Sequence, residues 1–270
     1  MPAYRAGRHE LGQNFLIDRR IARAIVNAIA CTEGPIIEIG AGDGALTLPL
    51  EKLGRPLTGI EIDMRHATRL RRRVRASTRI VNGDFLRYSL PREPHVLAGN
   101  LPFHQTTAML RRILHSQHWT DAVLLVQWEV ARRRAGVGGA TMMTAQAWPW
   151  FEFELLQRVP AAAFTPQPAV DGGLLTVARR SRPLVTEKDR RRYSAFVHSV
   201  FTGKGRGIKK VLNRVAPASC RTQMQKWMSA HGLSPYALPR DLTPVQWAEL
   251  YALLAQQPHP RPQATRDPYR

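Results

Sequence analysis

Pro35-Ile-Ile-Glu-Ile-Gly-Ala-Gly-Asp-Gly-Ala45 runs from a short apolar stretch into three closely spaced glycines. Isoleucine-rich residues bounded by Pro and Gly predict a short buried strand, and a helix follows over 45–53. Glycine at a strand-to-helix turn lets the backbone approach a ligand closely. Glu61 follows Gly42 by 19 residues, at the end of a second strand predicted over 57–62. An acid at that place can hold both hydroxyls of a ribose. These residues indicate a nucleoside-bearing cofactor and nothing narrower. Gly40, Gly42 and Ala45 even satisfy the dinucleotide pattern G-x-G-x-x-G/A, so a nicotinamide-dependent oxidoreductase stays open at this point.

Outward from that turn, the pattern keeps alternating. A helix is predicted over 18–30, where Ile21, Ala24, Ile25, Ala28 and Ile29 recur at helical spacing behind Asp18 as N-cap. Further strands are predicted over 79–81, 95–99, 121–127, 150–159 and 173–179, with helices over 64–76 and 106–115. The 64–76 helix carries a dense basic face of Arg65, Arg69, Arg71, Arg72, Arg73 and Arg75. Strands alternating with helices predict an α/β fold: a Rossmann-like, mostly parallel sheet of seven strands, its last two forming a hairpin at one edge. From Thr186 the pattern is helical only, over 189–201, 207–215, 220–231 and 244–255. The expected organisation is a sheet domain over 1–182, a smaller all-helical C-terminal domain over 183–256 and a disordered Pro/Arg-rich tail over 257–270.

The chain has 270 residues and a formal net charge of +20. Apolar residues make up 44%, enough for a packed core, which excludes an intrinsically disordered chain. No apolar run approaches the ~18 residues needed to span a bilayer. Residues 1–13 are polar and basic with no apolar segment, so no secretory signal and a cytoplasmic location are expected. Two distant cysteines, Cys31 and Cys220, fit a reducing compartment. Arg supplies 34 of the 40 basic groups, and residues 181–270 carry a net +11 against +9 for residues 1–180. Such a surface points to a polyanionic partner, and a nucleic acid fits better than a membrane. Arg132, Arg133 and Arg134, and Lys204, Arg206, Lys209 and Lys210, are candidate backbone contacts.

Two further segments bear on the chemistry. Gly83-Asp84-Phe85 follows the third strand; the Asp can accept from an adenine amino group and the Phe can pack beside that ring. Asn100-Leu101-Pro102-Phe103 follows the fourth strand, at the carboxyl ends where α/β sheets bind ligands. The amino group of adenine is a poor nucleophile because its lone pair is delocalised into the ring. It needs acceptors that fix both N–H groups and aim the lone pair at an alkyl donor. The Asn100 side-chain oxygen and the Leu101 carbonyl can serve. Pro102 donates no N–H and stiffens the turn, and Phe103 offers a ring to an unstacked base. A hydride-transfer enzyme has no use for this tetrapeptide.

Gln13-Asn-Phe-Leu16, Glu38-Ile-Gly-Ala-Gly-Asp-Gly44, Glu61-Ile-Asp63, Gly83-Asp-Phe85, Asn100-Leu-Pro-Phe103 and Phe164-Thr-Pro-Gln-Pro-Ala-Val-Asp171 stand in one order. That order resembles the rRNA adenine-N6 dimethyltransferases, over residues 8 to about 180. Gln127-Trp-Glu-Val-Ala-Arg-Arg-Arg-Ala-Gly-Val-Gly-Gly139 and Trp148-Pro-Trp-Phe-Glu-Phe153 resemble the actinobacterial branch of the Erm-type 23S rRNA methyltransferases. The resemblance implies a class I methyltransferase sheet and S-adenosyl-L-methionine as cofactor. It implies that Gln13, Asn14, Leu16, Gly40, Gly42, Glu61, Ile62, Asp84, Phe85 and Asn100 line the cofactor site. Asn100 and Leu101 would position the target nitrogen, and Phe103 and Phe164 would sandwich the target adenine. It further implies mono- or dimethylation of one adenine in protein-free or precursor 23S rRNA by a monomer. Resistance to macrolide, lincosamide and streptogramin B antibiotics would follow. The alternatives are a 16S-directed enzyme of small-subunit assembly and a non-catalytic nucleic-acid-binding relative. Ala41 and Phe103, where 16S-directed relatives more often carry Pro and Tyr, favour the 23S reading. Trp128 departs from the basic residue many relatives carry there. His115 and His118 stand alone, so no metal site is expected. The aromatic stretch 148–153 reads as core packing before an RNA platform.

Overall fold

The computed structural model describes residues 13–255. In chain order the elements are β1 (Phe15–Leu16), α1 (Arg19–Ala30), β2 (Ile36–Ile39), α2 (Thr47–Leu50), β3 (Leu57–Glu61), α3 (Met64–Arg71), β4 (Thr78–Asn82), β5 (His95–Asn100), α4 (Thr106–His115), β6 (Trp119–Gln127), α5 (Trp128–Arg134), α6 (Met142–Ala147), β7 (Phe151–Val159), β8 (Phe164–Thr165), β9 (Gly172–Arg179), α7 (Arg190–Thr202), α8 (Ile208–Val215), α9 (Arg221–Ala230) and α10 (Pro244–Ala255).

Seven strands form one sheet in the order β4-β3-β2-β5-β6-β9-β7. β4, β3, β2, β5 and β6 are parallel; β9 pairs antiparallel with both β6 and β7. The final strand thus inserts between β6 and β7, so the expected edge hairpin is present with its later strand on the inside. β2 and β5 are neighbours, and the chain winds outward from them in both directions. That reversal opens a crevice at the carboxyl ends of the strands. The central strands β2 and β5 are buried almost throughout, which accounts for their continuous apolar sequence.

α1 begins as its sequence requires: the Asp18 side chain accepts from the Arg20 N–H at 2.7 Å. Ile21, Ile25 and Ile29 face a core shared with Leu50, Val96 and Phe164. The helix expected over 45–53 is divided instead into α2 and a 3-10 turn over Glu51–Leu53, closed by Gly54 at φ +68°. At the other edge Trp119 stacks on Phe151 at 5.1 Å, with the Arg179 guanidinium 5.0 Å from each ring. In the aromatic stretch 148–153, Trp148, Trp150 and Phe151 are buried and Phe153 is half-buried.

Among the described residues, contacts divide the chain into one unit over 13–138 and 150–181 and a second over 139–149 and 182–255. The expected cut fell at 182/183 alone. α6, which interrupts the sheet sequence, groups with the later helices because α7 supplies its partners. Tyr193 is buried and its hydroxyl donates to the Ala145 carbonyl at 2.9 Å; Gln146 Nε2 donates to the Ser194 carbonyl at 3.0 Å. A buried hydroxyl without an acceptor costs about 1–3 kcal/mol, so this pairing is a real constraint. Within the second unit Trp247 stacks on Phe201 and meets Phe196 edge-on. Among the described residues no helix is long and apolar enough to cross a membrane, and no cluster of His, Cys, Asp or Glu could hold a metal ion. The tail expected over 257–270 lies outside the described residues.

Candidate active site

The glycine-rich turn leaves β2 at Gly40, whose φ is +74°, a value that side-chain-bearing residues rarely adopt. Gly42 follows at φ +51°, and a Cβ there would lie 3.2 Å from the Phe15 ring. Its N–H donates to Glu61 Oε2 at 2.7 Å, while Glu61 Oε1 accepts from the Asp63 N–H at 2.8 Å. Glu61 is 1% exposed. Gly42 therefore fixes the acid and does not present its own N–H to a ligand. Each Glu61 oxygen keeps a further lone pair for a hydroxyl donor.

Glu38 lies one residue before the end of β2 and is fully buried. Burial pushes its carboxyl up to about 8; Thr47 opposes the shift and the nearby Glu61 charge adds to it. Asp84 closes a turn after β4, its Oδ1 accepting from the Leu86 N–H at 2.8 Å. Phe85 is buried beside it, with the Arg112 guanidinium 5.8 Å from its ring and Arg112 Nε donating to its carbonyl at 3.0 Å.

One cleft collects Gln13, Gly40, Glu61, Ile62, Asp84 and Phe85, six of the expected cofactor residues. Its remaining wall includes Pro102, His104, Gln105 and Met109, of which only Pro102 belonged to a motif read from the sequence. The signal for the others was helical spacing. α4 starts at Thr106, with two residues between it and the tetrapeptide, and its N-cap Gln105 lies one turn before Met109. Asn14, Leu16, Gly42 and Asn100 do not line this cleft; Leu16 lines a second cavity, between α1 and α2.

The Asn14 carbonyl accepts from Asn100 Nδ2 at 2.7 Å. A carbonyl can only accept, so this contact orients the Asn100 amide and leaves Oδ1 as an acceptor with no donor among the described residues. The Leu101 N–H donates to the Leu125 carbonyl at 2.9 Å, which anchors the turn to β6. The Pro102 carbonyl accepts from the Gln105 N–H at 3.0 Å and the Thr106 hydroxyl at 3.1 Å. Asn14 is itself held by the adjoining β1–β8 ribbon, where Phe15 is opposite Thr165 and Leu16 is opposite Phe164. This two-stranded element was not anticipated, since two-residue strands leave no periodic signal.

Phe103 and Phe164 meet edge-on, with centroids 5.8 Å apart and planes at 70°. That is direct ring contact, and no slot for an interposed base exists between them. Phe164 is 2% exposed and belongs to the core, where Gly172 leaves space for its ring. The expected sandwich is therefore absent in this conformation; Phe103 alone, half-buried, is open to a base. Asp171 accepts from Arg158 Nε at 2.7 Å and the Ala161 N–H at 2.8 Å, closing the loop that carries Phe164.

The basic candidates separate on burial. Lys204, Arg206, Lys209 and Lys210 are all exposed. Arg133 is exposed and Arg132 half-buried, and both pair with Glu129. Arg134 is 8% exposed, and burial lowers its guanidinium to about 10. Of the three arginines expected to contact an RNA backbone, Arg134 is therefore withdrawn from solvent, whereas Arg132 and Arg133 keep accessible surface.

A family model described as ribosomal RNA adenine dimethylase matches residues 5–256. An rRNA adenine N-6-methyltransferase of Corynebacterium diphtheriae is 53% identical over 215 residues, covering 79% of this chain and 85% of that protein. The mycinamicin-resistance protein MyrB of Micromonospora griseorubida is 46% identical over 248 residues, covering 92% of this chain and 79% of that protein. The crystal structure of the 23S rRNA methyltransferase ErmE superposes with a TM-score of 0.82 at 33% identity, over 90% of this chain and all of that one. With this cleft, this tetrapeptide and these relatives, the chain belongs to the ribosomal RNA adenine dimethylase family and is an rRNA adenine N6-methyltransferase.

Proposed function

We propose that the chain methylates N6 of one adenine in 23S rRNA, using S-adenosyl-L-methionine, and so makes its host resistant to macrolide, lincosamide and streptogramin B antibiotics. The observation that carries this reading is the oriented amide of Asn100, held by the Asn14 carbonyl at 2.7 Å. Two acceptors, Asn100 Oδ1 and the Leu101 carbonyl, are thereby offered from one rigid turn.

The residues of the cleft fit the cofactor. Glu61 suits the ribose hydroxyls, Asp84 the adenine amino group, and Ile62 and Phe85 the faces of the adenine ring; Gly40 leaves room for close approach. When bound, S-adenosyl-L-methionine supplies a sulfonium methyl group with a neutral thioether as leaving group. Asn100 Oδ1 and the Leu101 carbonyl accept the two N–H bonds of the target amine. They hold its nitrogen pyramidal, localise its lone pair and accept the growing positive charge on the amino hydrogens. Phe103 stacks on the extruded base and offsets the unstacking cost. No strong base is required, because the amine loses its proton only after the N–C bond forms.

MyrB and ErmE support the resistance and 23S assignments by their descriptions. The enzyme acts in the cytoplasm, as a monomer, on protein-free or precursor RNA. The 139–149 and 182–255 unit, with exposed Lys204, Arg206, Lys209 and Lys210, contributes backbone contacts. The test is transfer of labelled methyl groups to purified 23S and 16S rRNA, with primer extension to map the modified base. A stop at one peptidyl-transferase adenine, with macrolide resistance in an expressing host, is expected. Label confined to 16S RNA or small subunits overturns the 23S assignment.

A further inference from the structure

A cavity of about 820 Å³ opens beside the glycine-rich turn and shares no lining residue with the cofactor cleft. α1 and α2 form its walls. Ala22, Val26, Leu48 and Pro49 supply an apolar lining, and Arg19, Arg23, Lys52 and Arg73 supply four cations. All four cations are exposed. Arg73 donates to the Asp43 carbonyl at 2.7 Å, which brings the end of the α3 region to the cavity. Arg19, Arg23 and Lys52 have no ion-pair partner among the described residues. The two acids nearby are already engaged: Asp18 by Arg20, and Asp43 by His66 and Arg69.

Unpaired cations around an apolar floor match a ligand that is anionic outside and flat and apolar inside. A volume in the range of about 300–1,000 Å³ takes a compact organic ligand. Arg65, Arg69, Arg71, Arg72 and Arg75 are also exposed, so positive surface flanks Arg73 along α3 and the turn after it. A single small anion would leave that surface unused, whereas a polyanionic strand would follow it. We infer that this cavity is a second RNA site, which receives an unpaired nucleotide flanking the target: its base packs on Val26, Leu48 and Pro49 and its phosphates lie against Arg19, Arg23, Lys52 and Arg73. The site deepens the rRNA reading given above and rests on it. None of the basic residues expected from the sequence to touch RNA lines it.

The test compares the full chain with a triple variant, Arg19→Ala, Arg23→Ala and Lys52→Ala, and with Ala45→Trp, which fills the cavity mouth without removing charge. The control is a charge-matched triple at Arg79, Arg92 and Arg182. Binding of a single-stranded oligoribonucleotide and of whichever rRNA the wild type methylates is measured across a salt series. Each lost phosphate contact on a single strand reduces the salt slope by about 0.7, so the triple variant should lose about 2. Its KM for RNA should rise about tenfold or more, with kcat and cofactor affinity unchanged. Ala45→Trp should raise KM without changing the slope. Photocross-linking of 4-thiouridine RNA should label peptides from α1 and α2. An unaltered slope and KM, an equal loss in the control triple, or cross-links confined to other elements overturns the inference. If the wild type methylates neither rRNA, the 23S reading fails, yet the oligonucleotide slope and cross-links still decide this site.

Discussion

Glu38→Gln tests whether the floor of the glycine-rich turn is held by a neutral acid. Glu38 lies on β2, between β3 and β5, and burial raises its carboxyl to about 8 from an ordinary 4.5. The folded chain therefore keeps a proton that the unfolded chain releases. For an acid shifted upward, the stabilising contribution is fully present below the unfolded value, declines as pH rises from about 4.5, and levels off above about 8. A separation of about 3.5 units at 1.36 kcal/mol each bounds the total near 5 kcal/mol. Linkage across that window removes about 4 kcal/mol between about pH 5 and pH 9. The glutamine variant preserves shape and cannot ionise, so this dependence disappears. Urea unfolding of both proteins at about pH 5, 7 and 9, followed by circular dichroism, gives the difference in stability at each pH. That difference should move toward the variant by about 4 kcal/mol across the series. A difference that stays flat would show that Glu38 ionises normally in the folded state, and the burial argument would fail.

Asn100→Ala should lower kcat by about 100-fold or more while cofactor affinity, measured by calorimetry, stays within about threefold, because the lost acceptor acts on the target amine; a matching loss of cofactor binding would contradict its role. Phe103→Ala should raise the KM for RNA by a factor equivalent to about 1–3 kcal/mol of stacking, with Phe103→Tyr close to wild type, and an unchanged KM would remove the ring from the site. Phe164→Ala should instead destabilise the fold by about 3–5 kcal/mol in denaturant unfolding, since the ring is core, and a stability change under 1 kcal/mol would disprove that assignment. RNA affinity should fall steeply and linearly on a log–log salt plot, and a flat response would mean the basic surface is idle.

The parallel sheet was legible because its evidence is local. Ile36, Ile37 and Ile39 before Gly40, or Val96 to Ala98 before Asn100, are short apolar runs that end in a turn, and burial of both faces leaves no other use for them. The cleft that collects Gly40, Glu61, Asp84 and Phe85 was legible for the same reason. Its residues follow strand ends, and parallel neighbours bring those ends to one edge whatever the loops do. What escaped the sequence depends on partners distant along the chain. β1 and β8 are two residues each and acquire meaning only from each other. α6 joins the helical unit through the Tyr193 hydroxyl, 48 residues away.

The aromatic pair shows where motif reading stops and geometry begins. Phe103 and Phe164 both carry the residue type a base sandwich needs, and the sequence gives no means to tell them apart. Their surroundings differ. Phe103 follows Pro102, whose carbonyl is committed to the start of α4, and its ring is half-buried. Phe164 is paired through β8 to β1, with Gly172 making room for it behind. One ring is thus free to stack and the other is part of the support. Asn14 belongs to the same ribbon and orients the Asn100 amide. A base could enter between the rings only if they separated, and a departure of Phe164 from the core would disturb the ribbon that holds Asn14 against the Asn100 amide. The arrangement therefore favours a single-sided stack on Phe103, with Phe164 keeping Asn14, and through it Asn100, in place.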